Sequence, residues 1–200
     1  MTATDGQGLR ADAARNYERI VVAAGQAFEE VGSAVTLEEV ARRAGVGVAT
    51  VYRRFRNREQ LVRAVFQHIV ATQIEPAMAV ETDDPWRDLV SSLETTVEVL
   101  AARKVVLAIA RETRALDMES MRRFVHTMDR PLGRAADAGV VRPELVARDL
   151  AAVTIMALAT VHPRDPGGAD RKRYLALLID GLRPAPTVLP PPSTPDVHGV

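Results

Sequence analysis

The chain is expected to be all-α, with about nine helices, and three observations carry that expectation. Apolar residues recur at helical spacing along most of its length. Aromatic residues make up only 4% of the sequence, while Ala, Val and Leu dominate, which favours packed helices over a sandwich or barrel. No segment survives as a strand candidate, and there is no internal repeat. At 47% hydrophobic, the 200 residues can bury a proper core. The absence of cysteine excludes disulfides, thiolate metal sites and cysteine nucleophiles together. The N-terminus MTATDGQGLR lacks the apolar centre of a secretory signal. The longest nearly apolar run, Leu150 to Val161, is too short to cross a bilayer. A cytoplasmic protein without a membrane partner is therefore expected.

Residues 1–9 are Gly- and Thr-rich without periodicity and read as a disordered arm. A first helix runs from about Ala11 to Val31, with Ile20, Ala24, Ala27, Phe28 and Val31 on one face and Gly32 as its stop. Thr36-Leu37-Glu38-Glu39 fits a capping box, in which Thr36 and Glu39 satisfy backbone N–H groups reciprocally. The short helix it opens turns Leu37, Val40, Ala41 and Ala44 inward and ends at Gly45. Asn57 caps a long helix running through Leu61, Val65 and Ile69 towards Pro76. Asp83-Asp84-Pro85 starts another, with Trp86, Leu89, Leu93, Val97 and Leu100 as its stripe. Helices follow over about 105–116, 120–128 and 131–138, then a very apolar one from Pro143 to about Val161. After the loop HPRDPGG the last helix spans Asp170 to Leu182, and a Pro-rich tail over 184–200 is expected to be disordered.

Formal net charge is zero, but the charge is unevenly spread. Between Ala41 and Arg63 there are seven arginines against Glu59 alone, a local charge of +6, as a patch for a polyanion requires. Only Lys104 and Lys172 are lysines, so clustering is better evidence here than arginine identity. On a helix over 47–55, Val48, Val51, Tyr52 and Phe55 form one apolar stripe, leaving Gly47, Ala49, Thr50, Arg53 and Arg54 outside. A surface helix selected for stability alone would carry Glu, Lys or Gln there. Small exposed side chains suit close approach to another surface. In the DNA major groove, Ala and Thr methyls can meet thymine methyls, and Thr or Arg can reach base-edge acceptors. Ala41, Gly45 and Val51 have helix-turn-helix spacing.

At this point TLEEVARRAGVGVATVYRRFRNREQLVRAVF (36–66) resembles the DNA-binding region of the TetR family of bacterial transcriptional regulators. DPWRDLV, RAADAGVVRPEL and RYLALLIDGLR are similar to phrases in actinobacterial-type members. The resemblance implies a ligand-responsive regulator, favouring a repressor, that binds a palindromic double-stranded DNA operator as a homodimer and is released by a small-molecule effector. It implies no catalytic residue, metal or cofactor. The implied layout is a helix-turn-helix DNA-binding domain over 10–56 and a regulatory ligand-binding and dimerisation domain over 57–183. By position, Thr36 caps the second helix and offers its amides to a phosphate, while Gly47, Ala49, Thr50 and Arg53 take the base-reading face. Tyr52 takes the place of a tyrosine whose hydroxyl meets a phosphate, and Arg58 that of a phosphate-contacting lysine. Arg42, Arg43 and Arg54 are candidate backbone contacts, with a solvated face as the other reading of Arg42, Arg43 and Arg56. Two positions depart from the family pattern: Arg54 replaces a common histidine or tyrosine, and Gly47 replaces a common serine, removing a cap.

Two late helices are candidates for a four-helix dimer interface, through Leu150, Val153, Met156, Ala157 and Val161 with Tyr174, Leu175, Leu177, Leu178 and Leu182. Packing within one chain is the alternative. Met78, Trp86, Met118, Met121, Phe124 and Met128 are candidates to line an effector cavity, or are simply core. Glu112 lies on an otherwise apolar stripe, where it either pairs with Arg111 or Arg114 of a neighbouring helix or meets a ligand. The four histidines are scattered, with no HExxH, GxSxG or phosphate-loop pattern to support an enzyme. A helical dimer acting through protein contacts alone remains the other alternative, and replacing Thr50 and Arg53 discriminates it from a DNA reader.

Overall fold

A computed structural model of the chain describes residues 3–162 and 165–192, apart from the side chains of residues 3–11 and of Met118. All regular structure among the described residues is helical. The helices are α1 (Ala3–Val31), α2 (Leu37–Ala44), α3 (Val48–Arg54), α4 (Arg58–Ile69), α5 (Glu75–Met78), α6 (Pro85–Ala102), α7 (Lys104–Glu112), α8 (Met118–His126), α9 (Asp129–Asp137), α10 (Ala147–Ala159) and α11 (Ala169–Asp180). Between α4 and α5 the chain stays helical in a wide π turn, Val70–Ile74. Pro76 explains the widening, since proline has no amide for the carbonyl four residues back and its ring would crowd that carbonyl.

The chain divides into two compact units. The first holds the residues up to Val70 together with Arg103–Ser120. In it α1 packs on α2, α4 and α7, and α4 packs on α7. Ile20, Val21, Ala24, Ala27 and Phe28 of α1 are buried with Val40 and Ala41 of α2, Val51 of α3, and Leu61, Val62 and Val65 of α4. Glu29 accepts a hydrogen bond from the Val106 amide (3.1 Å), satisfying one orphan donor in the first turn of α7. The boundary expected between residues 56 and 57 therefore does not separate the units. The α4 residues Leu61, Val62 and Val65 supply apolar surface to this core and are held within it.

The second unit comprises Ala71–Ala102 and the chain from Met121. Here α6 is central, packing on α5, α9, α10 and α11, while α10 also packs on α11. Leu89, Leu93, Val97 and Leu100 form its buried stripe, as the spacing implies. One buried carboxylate lies on this helix. Asp88 accepts from the Thr82 amide (2.8 Å), the Thr82 hydroxyl (2.7 Å) and Arg134 (2.6 Å). Those partners hold its pKa below the usual carboxylate range, the Thr82 amide first among them.

Both termini correct the sequence reading. The first helix starts at Ala3, not near Ala11, because extending a formed helix adds a hydrogen bond per residue without a new nucleus. Of the expected disordered arm, residues 1–2 lie outside the described residues. Residues 184–192, where disorder was expected, carry no helix, and Arg142 reaches the segment at Thr187. Arg142 donates to the carbonyls of Gly181 (2.9 Å) and Thr187 (2.6 Å), while its own amide bonds the Leu182 carbonyl (2.9 Å). The remaining tail residues, 193–200, lie outside the described residues.

Candidate nucleic-acid interface

The helix-turn-helix is built by local rules. Thr36 accepts from the Glu39 amide (3.2 Å) and so caps α2. The reciprocal half of the box is diverted, because Arg42 (2.8 and 2.7 Å) and Arg43 (2.7 Å) donate to the Glu39 carboxylate from the next turn. Gly45, at φ +62°, ends α2 in the left-handed conformation that glycine adopts without a Cβ penalty. Arg19 of α1 donates to the Gly45 carbonyl (3.1 Å), placing a guanidinium over the turn. Ala41 is fully buried where the helices cross. Gly47 precedes α3 without a side-chain cap, as the missing serine implies.

Only half of the expected apolar stripe on α3 reaches the core. Val51 and Phe55 are buried, and Phe55 stacks on Tyr17 with ring centroids 5.7 Å apart. Val48 is 42% exposed and Tyr52 46% exposed. A helix of seven residues offers the core little more than the pair one turn apart, which leaves the first-turn valine and the stripe-edge tyrosine outside. The exposed surface thus carries Gly47, Val48, Ala49, Tyr52, Arg53 and Arg54, with Thr50 half-buried in a cleft against Tyr17 and Ile20 of α1.

The arginine cluster divides into two sets. Arg42 and Arg43 share the Glu39 carboxylate, and Arg43 also reaches Glu30 (2.5 Å). Arg58, placed by sequence as a phosphate contact, turns inward. Its Nη1 donates to the Val35 carbonyl (2.7 Å), and the guanidinium lies 5.1 Å from the centre of the Phe28 ring. Arg63 pairs with Glu59 (2.6 Å) and Asp117 (3.1 Å). Arg53, Arg54 and Arg56 make no ion pair among the described residues, and Arg54 lies 4.8 Å from the centre of the Tyr17 ring. The cations of the patch without an ion pair among the described residues are therefore concentrated at and just after the end of α3.

Glu39 is drawn down to about 2 from an ordinary 4.5, first by its hydrogen bond from Arg42 and then by that from Arg43. A carboxylate depressed in the folded state adds stability that is present above its unfolded value and lost as pH falls towards its folded value. Replacement of Glu39 by Gln is therefore expected to flatten the fall in melting temperature between 4.5 and about 2. Thermal melts of both proteins across that range check it.

Two family models match the sequence. One, described as bacterial regulatory proteins of the tetR family, covers residues 20–65; the other, an SbtR-like transcriptional regulator C-terminal domain, covers 84–184. The chain belongs to the TetR family. Among solved structures, a TetR transcriptional regulator from Streptomyces coelicolor is 28% identical, with TM-score 0.63 over 84% of this chain and 98% of that one. A TetR regulatory protein from Mycobacterium vanbaalenii is also 28% identical, with TM-score 0.62 over 88% and 99%. NalD of Pseudomonas aeruginosa, the secondary repressor of the MexAB-OprM multidrug efflux pump, is 25% identical, with TM-score 0.55 over 86% and 98%. No curated protein sequence matches the chain. This TetR-family protein is a transcriptional regulator with a DNA-binding helix-turn-helix domain.

The other sequence candidates of this TetR regulator are dispersed. Met78, Phe124 and Met128 are buried and Met121 is half-buried, whereas the Met118 side chain lies outside the described residues. Trp86 is covered by Arg183, 4.0 Å from its ring centre. Glu112 is exposed at the end of α7, in the first unit, so the apolar stripe assumed around it does not hold there. Leu150, Val153, Ala157, Leu175 and Leu182 are buried within the second unit, and Val161 and Leu178 are half-buried. Met156 and Tyr174 are exposed, with Ile155 and, at 64%, Leu177. Sequence reasoning expected Leu177 at the interface but did not single out Ile155, because α10 is apolar nearly all round and has no period to separate its faces. It also missed Arg19 and Glu38, for which no local signal exists.

Proposed function

We propose that this TetR-family regulator is a ligand-responsive repressor that binds a palindromic operator as a homodimer through α3. The observation that carries the reading is α3 itself. It presents small residues and exposed arginines outward while Val51 and Phe55 anchor it, which suits entry into a major groove. Likeness to NalD, a repressor, supports the direction of control. The exposed apolar residues Ile155, Met156, Tyr174 and Leu177 on α10 and α11 support association of two copies, whose paired recognition helices would match a palindrome. A groove of about 370 Å³ in the second unit, lined by Met78, Ala79, Arg123, His126, Thr127, Arg130 and Glu75, supports a small-molecule effector. Such an effector lowers DNA affinity only by its differential affinity for the DNA-free and DNA-competent states.

No helix among the described residues is long and apolar enough to cross a membrane. Fluorescence anisotropy on the DNA flanking the gene, against random duplex and over several salt concentrations, tests the reading. Specific binding that falls steeply with salt supports it, with a slope of about −0.9 per phosphate contact. Unchanged DNA affinity with every small molecule tried would remove the effector from the proposal. For the dimer, the Ile155→Glu, Leu177→Glu double variant is expected to sediment as a monomer and to lose operator affinity. A dimeric double variant would place the interface elsewhere.

A further inference from the structure

Between the start of α2 and the exposed side of α3 lies a cleft of about 310 Å³ lined by Thr36, Glu38, Tyr52 and Arg58 over a floor of Phe28 and Val35. Its donors are unevenly used. Arg58 Nη2 is buried there without a partner, although its Nη1 bonds Val35. The Tyr52 hydroxyl, by contrast, donates to Glu38 Oε1 at 2.6 Å. Glu38 is exposed in the first turn of α2, and Tyr52 is exposed on α3 next to Arg53. When a helix-turn-helix docks, its second helix enters the major groove and its first crosses the backbone, so a cleft bridging the two meets a phosphate. One carboxylate therefore stands where a phosphate oxygen would be received.

We propose that Glu38 is an internal competitor for the DNA backbone: it holds the Tyr52 hydroxyl in the free protein and must release it when a phosphate docks. This rests on the reading of α3 as the DNA-contacting helix. The hydroxyl can donate only one hydrogen, so carboxylate and phosphate exclude each other as its acceptor. Their like charges also repel, an effect that salt screens at an exposed surface. The hydrogen bond lowers the Glu38 pKa, so the carboxylate is ionised and the competition fully present at neutral pH. Because a phosphate contact carries no sequence information, Glu38 lowers affinity for all duplexes alike and leaves their ratio unchanged.

The test is fluorescence anisotropy with full-length Glu38→Ala, Tyr52→Phe, the double variant and Arg53→Ala. The probes are a random duplex and a duplex selected by the wild-type protein from a random library. Glu38→Ala is expected to tighten both complexes about threefold to tenfold at low salt, as release of one charge-assisted hydrogen bond implies. The gain should shrink as salt rises, and in the Tyr52→Phe background it should fall below about twofold, the mark of a coupled pair. Unchanged or weaker binding by Glu38→Ala, with Arg53→Ala impaired on the selected duplex, overturns the competitor while leaving α3 as the reading helix. A full gain that persists without the Tyr52 hydroxyl overturns it too, since bulk charge then explains the effect. Unimpaired binding by Arg53→Ala overturns the reading of α3 and the competitor with it.

Discussion

Replacing Arg53 by Ala is expected to cost about 1–3 kcal/mol of operator binding and to relax sequence preference at the base it meets. Binding to random duplex should change far less. Arg53 is exposed on α3 and makes no ion pair among the described residues, so its guanidinium reaches DNA without first leaving one of them. Arg42 provides the contrast. Two of its nitrogens already donate to Glu39, so a phosphate must compete for them, and Arg42→Ala should cost much less than Arg53→Ala. Anisotropy on the selected duplex ranks the two directly. Equal losses would show that Glu39 releases Arg42 freely and that the whole arginine cluster contacts DNA.

Truncation of Phe28 to Ala is expected to destabilise the first unit by about 3–5 kcal/mol, the usual range for emptying a buried aromatic site. Phe28 is 1% exposed on α1, the helix on which α2, α4 and α7 all pack. Its ring also lies under the Arg58 guanidinium, so the truncation removes a cation–π contact from a side chain that already has one buried nitrogen without a partner. Thermal unfolding followed by circular dichroism measures the loss. A change below about 1 kcal/mol would mean that the helices around the site collapse to refill it. Because α3 is oriented by the same core through Val51, weakened DNA binding should accompany the loss of stability.

The helix-turn-helix was legible because its parts act on near neighbours. Thr36 caps an amide three residues on, Gly45 closes the turn that follows, and Asn57 accepts from the Gln60 amide (2.9 Å). The apolar stripes of α1 and α6 were legible for the same reason, since each helix had one core-facing side and kept the 3.6-residue period, although Val31, expected on the α1 stripe, is exposed at the helix end. The groove proposed for an effector was not. Methionines and aromatics mark any apolar interior, and Trp86 is covered by a residue nearly a hundred positions away in the chain.

Sequence alone established the all-helical class, the order of the helices and the small-residue face of α3, because propensity, capping and periodicity work within a few residues. It could count the arginines between Ala41 and Arg63 but not sort them. The sorting came from folding. Arg43 meets Glu30 across 13 positions and Arg58 meets the Val35 carbonyl across 23, while Tyr52 meets Glu38 across 14. Charge becomes available for DNA only where no distant partner has claimed it, and only packing of α1 through α4 brings those partners within hydrogen-bond reach.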